Sequence, residues 1–189
     1  MAASLGLTAV SGLNCNKRAG VKELYIAPTS DLASVVAGTT SHDVTDVVFE
    51  TAGAGFGKLG FKRGECEITE SMETSNEVTI AFAVPNPNAD QRFQLEKIRK
   101  NCEMYAVARL YDDERLLFIG YDAITEDEGF VKFNNLESTS GKATSDANLF
   151  VMNLMAEQGE MLRVLSGLSG VSATTTTAII AELVAATNV

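Results

Sequence analysis

Between Glu65 and Val84, apolar residues fall on even positions: Cys66, Ile68 and Met72, then Val78, Ile80, Phe82 and Val84. Polar or small residues fall on odd ones: Glu65, Glu67, Thr69, Ser71 and Glu73, then Glu77, Thr79, Ala81 and Ala83. A period of two sends successive side chains to opposite faces, so the stretch predicts two strands, each with one dry and one wet face. Glu70 and Thr74 break the alternation, and Thr74-Ser75-Asn76 supplies the turn between the strands. The wet face is acidic.

Pro85-Asn86-Pro87-Asn88 follows, a run that no central strand accommodates. Asn88 and Gln91 have the spacing of a capping box, which predicts a helix starting there. Leu95, Ile98 and Cys102 share its apolar face, and Arg92, Glu96, Lys97, Arg99 and Lys100 cover the remainder. The basic residues gather near the C-terminal end, where they suit the helix dipole. Met104–Tyr111 alternates again, and Asp112-Asp113-Glu114 turns it into Arg115–Tyr121, which predicts a hairpin.

Elsewhere the pattern is thinner. A first edge strand fits Leu5–Val10, a strand fits Val21–Ala27 up to Pro28, and a β-branched strand fits Val44–Glu50. Thr29–Gly38 reads as a turn of helix capped by Thr29 or Ser30. Glu126–Asn148 reads as a long irregular segment with a brief apolar interlude at Phe130–Leu136, a length that in compact domains goes with function or with a partner. Leu149–Ala156 reads as a buried strand, followed by Met161–Leu165. Ser166–Thr177 is small and polar, and Ala178–Ala186 is apolar and helix-permissive.

The chain has 189 residues, enough for one domain with a real core plus appendages. A net charge of −10 argues against holding nucleic acid through its phosphates. It leaves room for a surface past which nucleic acid slides. Cys15, Cys66 and Cys102 show no metal-ligand spacing and read as reduced core residues of a cytoplasmically folded protein. The N-terminus lacks the basic and apolar regions of a signal peptide. No segment reaches the roughly 20 apolar residues that a membrane span needs.

Candidate chemistry is sparse. Gly53, Gly55, Gly57 and Gly60 precede and follow Lys58, but neither phosphate-loop pattern is complete, so a hairpin tip or bulge is the better reading. Ser41, His42 and Asp43 are neighbours in sequence and cannot converge as a triad does. Asp112/Asp113 and Glu126/Asp127/Glu128 lack Ca²⁺-loop spacing and fit turns. Met152, Met155 and Met161 fit a core. No catalytic residue, cofactor site or metal site is identified, and an enzyme is not expected.

Several stretches together resemble a group of bacteriophage virion proteins of the tail-tube type, from phages of Bacteroidetes-type hosts. They are Asn14–Ile26, the Glu67–Glu70 strand with its partner, the Asn88–Ile98 helix, and the Met104–Asp112 and Leu116–Gly120 hairpin. The resemblance covers roughly residues 14–165 as an order of elements. It implies an antiparallel β-sandwich with one flanking helix, assembling into hexameric rings around a DNA channel. On this reading residues 1–165 are the sandwich domain, and residues 166–189 are a C-terminal arm with a short helix that has no counterpart in the group. The implied partners are further copies of the chain and other virion tail or neck proteins, with DNA passing unbound and no membrane. The implied location is the virion tail, after assembly in the host cytoplasm.

Two expectations about residues follow. Glu65, Glu67, Thr69, Glu77 and Thr79 line the channel, or else form a solvated outer face. Ile179, Ile180, Leu183 and Val184 are apolar and need a partner, so the arm docks on a neighbouring subunit or ring, or else its helix folds back on its own sandwich. A head–tail connector or tail terminator would form a single ring of similar fold, and a monomeric β-barrel binding module would form none.

Overall fold

The computed structural model describes residues 20–39, 42–50, 54–72, 75–111, 115–122, 129–139, 149–168 and 176–185. The elements are β1 (Val21–Pro28), β2 (Leu32–Ala37), β3 (Asp43–Phe49), β4 (Gly57–Gly60), β5 (Cys66–Met72), β6 (Asn76–Pro85), α1 (Ala89–Lys100), β7 (Met104–Leu110), β8 (Leu116–Ile119), β9 (Lys132–Thr139), β10 (Leu149–Gln158), β11 (Arg163–Leu165) and α2 (Thr176–Ala185). They form a mainly β sandwich with flanking helices. The larger sheet has seven strands in the order β2-β3-β11-β8-β7-β1-β4, and the smaller has four in the order β5-β6-β10-β9. All pairings are antiparallel except β11 with β3.

The main core lies between the sheets. Leu24, Ile26, Ala106 and Ile119 meet Val78, Ile80, Phe82, Met152 and Leu154, with Leu95 and Ile98 of α1 joining them. Both bonds of the α1 capping box form: Gln91 N–H donates to Asn88 Oδ1 at 2.8 Å, and Asn88 N–H donates to Gln91 Oε1 at 2.9 Å. The sheets also join at a short bridge, where Met104 and Val131 exchange backbone hydrogen bonds of 3.0 and 2.9 Å. Gly120 passes beside this junction at φ +104°, where a Cβ would stand 3.0 Å from the Met104 carbonyl. Glycine is therefore the residue that fits the crossing.

A second core covers the opposite face of the larger sheet. Tyr25, Val44, Val47, Phe56, Tyr105, Val107 and Phe118 pack there with Ile179 and Leu183 of α2. Phe56 N–H also donates to the Leu183 carbonyl at 3.2 Å. The larger sheet is thus covered on both faces, which explains why β7 is buried at five consecutive residues, Met104 to Ala108.

This second core corrects the expectation for the C-terminal arm. Ile179 and Leu183 are 2% and 0% exposed and pack against their own chain, not on offer to a neighbour. Ile180 is half-buried against the same cluster, and the side chain of Val184 lies outside the described residues. The apolar helix is answered by the apolar outer face that β1, β7 and β8 leave open, a face their sequences do not separate from the inner one.

Four local expectations also change. Thr29–Gly38 is a single 3₁₀ turn at Thr29–Asp31 followed by β2, with no side-chain cap; Val35 and Val36 are β-branched and pair with β3. The apolar interlude in the long irregular segment is β9, an eight-residue strand. Cys102 lies beyond the end of α1 and is exposed, whereas Cys66 is buried. Of the three methionines assigned to a core, Met152 is buried while Met155 and Met161 are 36% and 54% exposed. The Leu5–Val10 strand, the Asp112–Glu114 turn, Cys15 and Ser41 lie outside the described residues.

Candidate functional site: an uncovered acidic sheet face

The β5–β6 hairpin forms in the register that the alternation predicts, with Glu67 opposite Ala81, Thr69 opposite Thr79 and Ser71 opposite Glu77. The odd-numbered side chains of both strands therefore share one face. β10 extends it by placing Asn153 beside Ala81, Met155 beside Thr79 and Glu157 beside Glu77. β9 adds Asn135 beside Asn153 and Glu137 beside Val151. No described helix or sheet packs over this face: both described cores lie elsewhere, one between the sheets and one under α2.

The face is polar, small-grained and acidic. Glu67, Thr69, Glu77 and Glu157 are exposed, and Thr79, Ala81 and Asn153 are half-buried by their neighbours alone. Glu77 and Glu157 stand directly opposite each other, a like-charge placement that weakens a strand pair. Glu157 accepts a hydrogen bond from Ser75 Oγ at 2.8 Å. Both edges of the sheet, β5 and β9, lack a strand partner among the described residues. Cys66 sits directly behind Glu67 on the dry side, and burial, with a smaller push from the Glu67 charge, raises its thiol to about 12.

Glu65 heads the expected row. It precedes β5, is half-buried, and accepts a 2.8 Å hydrogen bond from Lys62 N–H, so it closes the turn into β5. It also borders a groove of about 730 Å³ between β4 and α1. Of the expected channel-lining residues, Glu67, Thr69, Glu77 and Thr79 come together on one face, and Glu65 precedes them opposite Ala83, with its carboxylate held by the Lys62 N–H.

The two ends of this sheet are built differently. At the end where β6 begins, Asn76 is buried and its Nδ2 donates to Glu70 Oε1 at 2.6 Å and to the Glu160 carbonyl at 2.9 Å. Leu162 N–H donates to the same Glu70 oxygen at 2.9 Å. This explains why Glu70 breaks the alternation: it faces the dry side and is used there as an acceptor. Glu160 grips Arg163 through a fork of two 2.7 Å bonds, which holds the guanidinium above its ordinary range. His42 Nε2 lies 2.7 Å from the Met161 carbonyl, so the lone histidine ties a loop to this corner. At the other end, β6 finishes at Pro85 and the chain enters α1, whose Arg92 lies 4.7 Å over the Phe150 ring.

A polar cluster that sequence spacing did not reveal sits on the larger sheet. Glu23 receives Lys58 Nζ at 2.6 Å, Arg109 at 2.8 Å and the Tyr25 hydroxyl at 2.8 Å. Burial raises the Glu23 carboxyl, but the hydrogen bonds from Lys58, Arg109 and Tyr25 outweigh it and bring it down to about 2. A carboxylate so acidic is a poor proton acceptor near neutral pH, and the cluster serves to lock edge strand β4 onto β1 and β7. Among the described residues, no group of His, Cys, Asp and Glu is arranged to hold a metal ion. No helix there is long and apolar enough to cross a membrane. Comparisons with protein-family models, curated proteins and solved structures find no match to this chain.

Proposed function

We propose that this chain is a structural virion protein whose copies close into rings, hexameric on the resemblance, that stack as a phage tail tube for DNA. The observation that carries the reading is the acidic face of the smaller sheet, uncovered among the described residues and bounded by two edges that no described strand pairs. A free edge presents a row of backbone donors and acceptors, a template for another strand. β5 and β9 have seven and eight residues, so the edge of one copy can pair with the opposite edge of the next. Contacts of this head-to-tail kind close into a ring when the rotation per copy permits. The wet face then lines the lumen with Glu67, Glu77, Glu137 and Glu157, while the dry face stays on its own core. A passing phosphate backbone finds no countercharge there and does not stall. Further virion tail or neck proteins are the partners at the ends of the stack, the virion tail is the location, and no catalysis is required.

The test is imaging of the purified protein with a DNA-retention assay on the assembled particles. Wild-type tubes are expected to release DNA, and tubes of Glu67→Lys, which leaves both ends of the sheet unchanged, to retain it with a steep salt dependence. Monomers alone at high concentration, or the carboxylates of this face on the outside of the particle, would overturn the proposal. Single rings that never stack would favour a connector or terminator.

A further inference from the structure

The two ends of the smaller sheet carry opposite chemistry, and each exposes large apolar side chains. At the end where β6 begins, Met72 and Met161 are 56% and 54% exposed, beside the exposed carboxylates of Glu77 and Glu157. At the end where β6 finishes, Phe93 in the second turn of α1 is 60% exposed, with Lys97 Nζ lying 4.8 Å over its ring. Lys62 and Arg63, in the turn before β5, belong to this same end and are exposed. The ten residues of β6 separate the ends by about 30 Å at the usual rise per residue. One end is mainly acidic with methionines, and the other gathers Lys62, Arg63, Arg92 and Lys97 around an aromatic ring, with Asp90 and Glu137 among them.

We infer that these ends are the two halves of a head-to-tail contact between copies, with Phe93 and Lys97 of one copy docking on Met72 and Met161 of the next. The inference rests on the ring reading above: if the smaller sheet lines a lumen, the ends of its strands are the two rims, and rim must meet rim in a stack. Sulfur against an aromatic ring edge is a favourable contact, and methionine adapts its shape to what it meets. Lys97 then moves from covering its own ring toward Glu77 or Glu157, so charge complementarity sets the polarity of the stack. Two acidic ends or two basic ends repel. The contact is heterologous and does not close, so it propagates as a filament.

Phe93→Ser and Met161→Ser test the contact by imaging and sedimentation; both sites are exposed, and thermal melting verifies that each variant is folded. The expected result is rings with loss of stacks, whereas stacks that persist in both variants overturn the inference. A crosslinking experiment removes dependence on ring formation. In a Cys15→Ser, Cys102→Ser background, proteins carrying Phe93→Cys and Met161→Cys are oxidised separately and mixed. A disulfide dimer appearing mainly in the mixture supports the contact. Its absence from the mixture, or an equal yield from either protein alone, overturns it. Absence of rings from the wild type would sink the proposed function, while the mixed crosslink still decides the contact by itself.

Discussion

At Glu23 the side chains of Lys58, Arg109 and Tyr25 converge on one carboxylate whose side chain is only 13% exposed. Its folded value near 2 lies below the ordinary 4.5, so it stabilises the fold fully above pH 4.5, and that contribution is lost as pH falls toward 2. Unfolding midpoints in urea should therefore fall across that window, and the drop should be smaller in Glu23→Gln. Glu23→Ala should cost about 3 kcal/mol at neutral pH, because it removes the carboxylate that joins Lys58 of β4 and the Arg109 guanidinium of β7, itself 14% exposed, to β1. An unchanged midpoint would mean that water replaces the carboxylate. None of this was legible in the sequence: Glu23, Lys58 and Arg109 come from three strands, and only the β4-β1-β7 order brings them together. Glu67 and Glu77 were legible, because strict alternation on two strands joined by a tight turn leaves only one face for them.

The elements show the same division between local and distant information. α1 announces its start through Asn88 and Gln91, a pair whose spacing and chemistry are complete within four residues. β9 does not announce itself, because its register against β10 shifts between Asn153 and Leu154. Phe133 and Leu136 consequently both reach the core although three positions apart, a spacing that breaks the strand period. α2 was legible as an apolar helix but not in its destination, since the face that receives it belongs to strands whose two sides are equally apolar. Leu183 is fully buried there, so Leu183→Ala should cost about 3 kcal/mol, read as a lower unfolding midpoint. Removing the chain beyond Leu168 should lower stability further by baring Val44, Val47 and Phe56 to water. A truncated protein that melts like the full chain would show instead that α2 contributes nothing to its own domain.

At the scale of the whole molecule, the two proposed contacts respond to salt in opposite directions. Closing the ring gathers Glu67, Glu77, Glu137 and Glu157 from every copy around one lumen, and like charges at that density resist assembly. Mobile cations screen them over about 10 Å at 0.1 M salt and about 3 Å at 1 M, so added salt should favour rings over monomers. Stacking joins the acidic end of one copy to the basic end of another, and the same ions weaken that attraction. Raising salt should therefore shorten stacks while increasing the fraction of chains in rings, a divergence that sedimentation velocity resolves as two separate trends. Glu67→Gln with Glu77→Gln removes part of the lumen charge, so its rings should form at lower salt than those of the wild type. Were salt to dissociate rings as readily as stacks, ion pairs rather than backbone pairing would hold the copies side by side. The acidic sheet would then face outward, a solvated surface and not the wall of a channel.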